Sequence, residues 1–421
     1  MRAVVVALGK IGLPLAARIA QAGHEVVGCD VDQRVVDAVN AGRVPYPGES
    51  SLESVLAEIV AAGRLCARRD TTAAVAEGAD LVVAVPPLVI DGDAQPDWRI
   101  LDAVIEDIGH GLRPGTTVSV ETTLPVGAIR GRIAPALERA SGLRSGDDFH
   151  VVHSPERVFS GRVLRDLDAY PKLVGGLDRV GETRAAELYR AFLGAEVWEL
   201  GSAEAAELTK LAETTYRDVN IAFANELARY ADRLGLDVER VIAAANSQPF
   251  SHIHRPGVAV GGHCIPVYPR LLLSGDPSAT LPRAARAVNE AMPAYAVERL
   301  GDLLDGGLRG ARVLILGVAY RGAVKETAFS GAFALRDAID AAGGLALATD
   351  PLYEDGELAA LGFEPWDGEP IDAAILQADH PEYRGLTAAD LPGARAVLDG
   401  RAVLDLAGLR AAGLEAAGIG R

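Results

Sequence analysis

The chain has 421 residues, with 41 Lys+Arg against 58 Asp+Glu, a net charge of −17, and 49% hydrophobic residues. That length exceeds the roughly 250–300 residues at which one core stops growing, so two or three domains are expected. The negative balance repels nucleic acid and anionic membranes, which excludes both as expected partners and means an anionic substrate needs locally placed cations.

The three cysteines, Cys29, Cys66 and Cys264, are widely separated and lack metal-ligand spacing, which argues against a disulfide framework or a zinc site. Met1-Arg2 runs straight into Ala3–Leu8, too short for a signal peptide, and no apolar run reaches about 18 residues. A soluble, cytoplasmic protein is expected.

In chain order, Ala3 to Leu8 is an apolar run of strand length, followed by Gly9-Lys10-Ile11-Gly12 and a helical stretch from Pro14 to Ala22. Glu25 to Asp30 reads as a second strand ending in an acid. This is the spacing of a dinucleotide-binding βαβ unit, in which the helix N-terminus receives the pyrophosphate and the acid accepts the ribose hydroxyls. Gly9, Lys10, Ile11, Gly12, Asp30 and Arg34 are the candidate cofactor-binding residues. Asp30 favours NAD over NADP, because a carboxylate repels a 2′-phosphate. The GxGxxG fingerprint has Ala7 in place of its first glycine, and Cys29 reads as a core residue.

Ala79–Val85 precedes Pro86-Pro87, Thr116–Val120 precedes Glu121-Thr122-Thr123, and Phe149–His153 delivers Ser154-Pro155-Glu156-Arg157. Alternating strands and helices predict a doubly wound parallel sheet, with ligands beyond the carboxyl ends of the strands. Glu121, Thr123, Glu156 and Arg157 fall at that edge. The plainer alternatives are a helix cap for Thr123 and an exposed ion pair for Glu156 and Arg157.

From Ala203 to Leu234 one helical pattern runs without Gly or Pro, with Leu208, Leu211, Thr215, Val219, Phe223, Leu227, Tyr230 and Leu234 spaced at three or four. It should span roughly 45–50 Å. Lys210 and Thr214 lie one turn apart, with Lys210 about 160° around from Leu208, so they can project together into a cleft. The apolar stripe is expected to form the core of a homodimer.

Gly261-Gly262-His263-Cys264-Ile265-Pro266 follows. Two glycines permit positive φ and close approach of a ligand, and Pro266 restricts Ile265. A sulfur on such a turn can be presented as a nucleophile; the alternative is an inert core cysteine. After helical Leu281–Leu304, Gly306-Gly307-Leu308-Arg309-Gly310 marks a boundary. A second βα series then runs through Arg312–Gly317, Leu345–Thr349, Ala373–Leu376 and Ala396–Leu398. The expected fold is α/β, two Rossmann-like doubly wound domains joined by a long central helix, divided at 1–200, 201–305 and 306–421.

The glycine turn, ETTLPVG at 121–127, SPER at 154–157, KLAETTYRDVN at 210–220, GGHCIP at 261–266 and GVAYR at 317–321 together resemble the nucleotide-sugar 6-dehydrogenases, the family containing UDP-glucose dehydrogenase. The resemblance covers nearly the whole chain in order. It implies oxidation of a sugar CH2OH to a carboxylate with two NAD+, through an aldehyde held on cysteine, as a step of polysaccharide or glycoside biosynthesis. The SPER-x-x-x-Gly form is more similar to the branch acting on UDP-N-acetylhexosamines than to the UDP-glucose branch.

By position, the resemblance implies Cys264 as nucleophile and Lys210 as the cation stabilising oxyanions at C6. Glu156 becomes the acid/base of thioester hydrolysis, while Thr123, near both cofactor and substrate, positions the water or hydroxyl. Thr214 adds a hydroxyl donor where the family usually has Asn. Glu156, Arg157, Lys210, His254, Arg255, Gly257, Gly261 and Arg321 would bind the nucleotide sugar. Arg321 sits at the family's lysine position near the phosphates, where a guanidinium can serve. Further departures are Tyr268 for Asp, Ala328 for Arg, and Pro86-Pro87 for Pro-Thr-Pro. A dehydrogenase performing one oxidation, and a nucleotide-sugar binder without activity, remain open alternatives; counting NADH per sugar separates them.

Overall fold

The computed structural model describes residues 1–46, 50–158 and 161–421. The chain forms two compact units, Met1–Glu213 with Ser274–Pro277, and Thr214–Leu273 with Ser278–Arg421. The division falls inside the long helix.

In the first unit the strands are β1 (Arg2–Val6), β2 (Glu25–Cys29), β3 (Leu65–Arg68), β4 (Leu81–Ala84), β5 (Val89–Ile90), β6 (Pro96–Asp97), β7 (Thr117–Val120), β8 (His150–His153), β9 (Lys172–Gly176) and β10 (Val197–Glu199). Eight of them build one sheet in the order β3-β2-β1-β4-β7-β8-β9-β10, with β5 and β6 forming a separate hairpin. Neighbours in the sheet are parallel except β8 and β9. Helices cover both faces of such a sheet, so β1 and β4 are almost wholly buried and read as unbroken apolar runs. The order reverses between β1 and β4, which makes the turn after β1 the place where a ligand binds.

The second unit repeats the plan. Its strands are β11 (Arg312–Leu316), β12 (Leu345–Thr349), β13 (Glu364–Pro365), β14 (Ala373–Leu376), β15 (Ala396–Asp399) and β16 (Glu415–Gly418). They form a parallel sheet in the order β13-β12-β11-β14-β15-β16.

The repeat extends to the first turn. Ala7 has φ +75° and donates its N–H to the Cys29 carbonyl at 2.8 Å, and the Leu8 N–H reaches the Asp30 carboxylate at 2.8 Å. Gly317 has φ +93° and donates to the Thr349 carbonyl at 2.8 Å, while Val318 and Ala319 donate to Asp350 at 2.7 and 2.9 Å. The two acids differ in access. Asp30 is partly open, whereas Asp350 is buried and also holds His380 Nε2 at 3.2 Å.

The long helix forms over Ala203–Leu234, as its pattern predicts. The apolar stripe splits, however. Leu211 and Thr215 are buried, but Leu208, Phe223, Tyr230 and Leu234 are about half exposed. The inward face is built of alanines, which allow close approach, and of polar side chains, Glu207, Lys210, Thr214, Asp218 and Asn225. Leu281–Leu304 is two helices, Leu281–Glu290 and Met292–Asp302.

Ala7 carries a backbone conformation that disfavours a Cβ. Ala7→Gly should therefore raise stability by about 0.5 kcal/mol, and Ala7→Val, β-branched at positive φ, should lower it by about 2 kcal/mol. Thermal midpoints ranking Gly above Ala above Val would bear this out; a glycine variant that melts lower would overturn it.

Candidate active site

At the first turn, a Cβ on Gly12 would lie 1.9 Å from the Ala7 carbonyl oxygen, so only glycine lets the first helix, Gly12–Gln21, approach β1. Gly9 is open, with nothing within 4 Å of a Cβ placed there. No side chain caps the helix at Ile11, and the glycine turn with Lys10 leads straight into its N-terminus, where the Leu13 N–H bonds the Gly9 carbonyl at 3.2 Å. This is the arrangement that accepts a pyrophosphate. The Asp30 oxygens accept the Leu8 and Asp32 N–H groups, and each keeps a second lone pair at the sheet edge. Arg34 is exposed and grips Asp32 at 2.7 Å, holding that carboxyl below its usual range. The residues present fit NAD.

Two neighbouring loops carry Thr123 and Glu156. Register places Val120 of β7 opposite His153 of β8, so the segments that follow leave one sheet edge side by side, and the Glu156 N–H reaches the Glu121 carbonyl at 3.3 Å. Under them lies a buried network. Lys172 on β9 pairs with Glu121 at 2.8 Å, and Tyr189 donates to the other Glu121 oxygen and meets Ser119 at 2.9 Å. Burial pushes the Glu121 carboxyl up. His153 bonds the Val120 carbonyl through Nδ1 at 2.9 Å, and its buried Nε2 has no partner among the described residues. Burial, with Lys172 and Lys210 nearby, pushes its pKa down to about 3, so the ring is neutral.

The SPER loop is pinned at three points. Ser154 donates to the Leu173 carbonyl at 2.7 Å, and Arg157 reaches the Pro171 carbonyl at 3.1 Å and Glu213 of the long helix at 2.8 Å. Phe159 and Ser160, two of the three positions between Arg157 and Gly161, lie outside the described residues. The other loop is held by Glu207, whose carboxylate accepts N–H groups from Gly127 at 2.6 Å and Ile129 at 2.8 Å. Lys210 follows one turn later, and Lys210 and Thr123 are both less than one-tenth exposed.

In the second unit Cys264 is exposed at the head of a turn, its carbonyl accepting N–H groups from Val267 at 3.2 Å and Tyr268 at 2.9 Å. Behind it the segment after β11 packs close. A Cβ on Gly261 would lie 2.8 Å from Tyr320 Cβ, and the Gly262 N–H donates to the Ala328 carbonyl at 2.8 Å. His263 meets Glu326, and Arg321 donates to the Tyr320 hydroxyl at 3.1 Å. The structure thus brings Arg321, Gly261 and Cys264 onto neighbouring segments. Asn220 holds the other loop, accepting the His254 N–H at 2.8 Å and donating to the His252 carbonyl at 2.7 Å. Asn225 accepts the Gly257 N–H at 3.0 Å. Arg255 is exposed, and Thr214 is buried on the inward face of the long helix.

Reading the residues one by one missed Lys172, Tyr189, Glu207, Glu213, Asp218, Asn225, Arg286 and Asn289. The long helix held the signal: Glu207, Lys210, Thr214, Asp218 and Asn225 recur at helical spacing, a polar stripe hidden by the search for an apolar one.

The glycine turn before an uncapped helix, with Asp30 at the end of the second strand, defines the first unit as an NAD-binding unit of the kind dehydrogenases carry. The family model described as "UDP-glucose/GDP-mannose dehydrogenase family, NAD binding domain" matches residues 1–193, and its central-domain counterpart matches 204–291. The chain belongs to this family. It is 35% identical over 390 residues to a UDP-N-acetyl-D-mannosamine dehydrogenase of Pyrococcus horikoshii, covering 92% of this chain and 91% of that protein. It is 33% identical over 409 residues to an NDP-N-acetyl-D-galactosaminuronic acid dehydrogenase of Ralstonia solanacearum, covering 94% and 95%. A solved UDP-D-ManNAc dehydrogenase of Pyrococcus horikoshii superposes with a TM-score of 0.90 at 32% identity, covering 100% of this chain and 99% of that one.

Burial raises the Glu207 pKa from 4.5 to about 7. Between those values the folded chain holds a proton that the unfolded chain has released, so this group's contribution to stability falls as pH rises from about 5 to 7. Urea titrations at pH 5 and pH 8 should show Glu207→Gln losing less stability across the interval than the native protein, by up to about 3 kcal/mol. Parallel profiles would refute the assignment.

Proposed function

We propose that this enzyme oxidises the C6 hydroxymethyl group of a UDP-N-acetylhexosamine to the carboxylate in two NAD-linked steps, with the intermediate held on Cys264. The observation that carries the reading is an exposed thiol at the head of a turn whose glycines are packed against Tyr320 and Ala328. NAD, when bound, accepts the hydride lost from C6 in each oxidation.

In this reading Lys210, buried one turn after Glu207, stabilises the oxyanion at C6, with Thr214 supplying a hydroxyl on the same helix face. The Cys264 thiolate adds to the aldehyde carbon, giving a thiohemiacetal. The same sulfur remains bonded as the second hydride leaves, giving a thioester, so no aldehyde escapes. Water placed by Thr123 attacks the acyl carbon, Glu156 takes its proton, and the carbon–sulfur bond breaks to release carboxylate and thiol. One CH2OH and one water become one carboxylate, with two NAD+ reduced. Tyr268 stands where the family usually has an acid, which leaves Glu156 as the base. Arg157, His254, Arg255, Gly257, Gly261 and Arg321 bind the nucleotide sugar.

Within the expected divisions, 201–305 serves as the dimerisation segment and 306–421 as the nucleotide-sugar-binding domain. The three free cysteines suit a reducing cytoplasm, and among the described residues no helix is long and apolar enough to cross a membrane.

Cys264→Ser should release at most one NADH per enzyme active site in a single turnover and then stall, because serine is a weaker nucleophile without a dedicated base. Native enzyme should yield two NADH per sugar. A serine variant that turns over fully would make the cysteine structural.

The half-exposed stripe of Leu208, Phe223, Tyr230 and Leu234 on the long helix supports a homodimer with this face at its centre. Charging it with Phe223→Glu and Tyr230→Glu should shift sedimentation from dimer to monomer. A native chain that sediments as an active monomer would reject the dimer.

A further inference from the structure

One buried group in the second unit has no part in the chemistry above. Arg286, on the helix Leu281–Glu290, is 6% exposed and faces Asp218 of the long helix, which is fully buried. The Arg286 Nε lies 3.4 Å from Asp218 Oδ2, and its terminal nitrogen donates to the Ile265 carbonyl at 3.3 Å, one residue past Cys264. Glu290 lies 3.7 Å away on the solvent side.

The connection continues beyond this pair. Asn289 donates to the Asp218 carboxylate at 2.7 Å and to its carbonyl at 3.0 Å, and accepts from Asn225 at 2.8 Å. Asn225 in turn accepts the Gly257 N–H at 3.0 Å. A continuous buried chain thus runs from the Cys264 loop, through two helices, to the 253–257 loop.

We propose that Arg286 is a positioning residue for the Cys264 loop, acting through the Ile265 carbonyl and coupled by Asp218, Asn289 and Asn225 to the loop at Gly257. The proposal rests on the reading of Cys264 as the nucleophile. A buried ion pair is weak as a source of stability, since apolar residues of similar volume often do as well or better. What a guanidinium adds is a planar fork that reaches two acceptors at once. Here a terminal nitrogen donates to a carbonyl in the cysteine turn, while Nε faces the Asp218 carboxylate at 3.4 Å as an ion pair without a hydrogen bond. Pro266 supplies no N–H and the Cys264 carbonyl is taken by Val267 and Tyr268, and between them the Arg286 guanidinium holds the Ile265 carbonyl.

The test compares Arg286→Lys, which keeps a charge and a single point donor, with Arg286→Met/Asp218→Asn, which removes both charges at similar volume. Steady-state kinetics are read with the alkylation rate of Cys264 by iodoacetamide, followed by intact mass. Arg286→Lys should lower kcat at least threefold. The double variant should lower it at least tenfold, with KM for NAD within twofold of native and a thermal midpoint close to native. Cys264 alkylation should change at least threefold in the double variant and less in the lysine variant. Native kcat and native alkylation in the double variant would overturn the proposal, and should that variant not fold, the same result in Arg286→Lys does so. Because alkylation does not require Cys264 to act in turnover, altered alkylation together with a fully active Cys264→Ser would leave the positioning role standing while removing the covalent mechanism.

Discussion

The structure depends on the polar side chains of the helix Ala203–Leu234, those of its buried face and the part-exposed Glu213 and Asn220 on another. Backbone groups in loops need partners when covered, and this helix supplies them at successive turns. Glu207 takes N–H groups of Gly127 and Ile129, and Glu213 takes Arg157. Asp218 takes Asn289 and faces Arg286, Asn220 takes the His254 N–H, and Asn225 takes the Gly257 N–H. Within each unit, the loops that carry a proposed catalytic or binding residue, apart from the dinucleotide turn and the segment after β11, are thereby tied to the part of the helix that belongs to that unit. The alanines between these positions make this feasible, since short side chains let neighbouring backbone come within hydrogen-bonding range of the helix.

The two sheets apply one device to two ends. In both units a residue at positive φ ends the first strand and the following N–H groups bind an acid at the end of the second. In the first unit that acid stays accessible, which is what a ribose requires. In the second, His380 and two backbone N–H groups occupy Asp350, and burial removes it from ligands. The same topology therefore presents a nucleotide-reading carboxylate only once.

Charge is managed locally against the overall balance of −17. Lys172 and Lys210 are buried in the first unit and Arg286 in the second. Lys172 is neutralised by Glu121, and the two lysines help keep His153 uncharged. Lys172 and Arg286 each face a buried carboxylate; Lys210 is the one of the three proposed to meet a developing oxyanion, where a low dielectric makes a cation count for more than in water.

Most of the apolar strands and the long helix were legible because their signals are local: β4 is apolar throughout, β1 and β11 are apolar after one leading arginine, and Ala203–Leu234 has no breaker. The residue types of the site could likewise be read from the motifs at 121–127, 154–157, 210–220 and 261–266. β9 could not be read this way, because only Leu173 and Val174 separate Lys172 from two glycines, and the Lys172 partner Glu121 lies 51 residues away in sequence. The facing of the long helix was legible only at Lys210 and Thr214, and Glu207, Asp218 and Asn225 were not read as buried, since its apolar and polar stripes have the same period. Which one turns inward depends on which partners tertiary packing brings to it. By itself the sequence determined the main apolar strands, the long helix and the family; the tertiary structure decided which polar groups are buried together, because only a fold brings an acceptor to a donor distant along the chain.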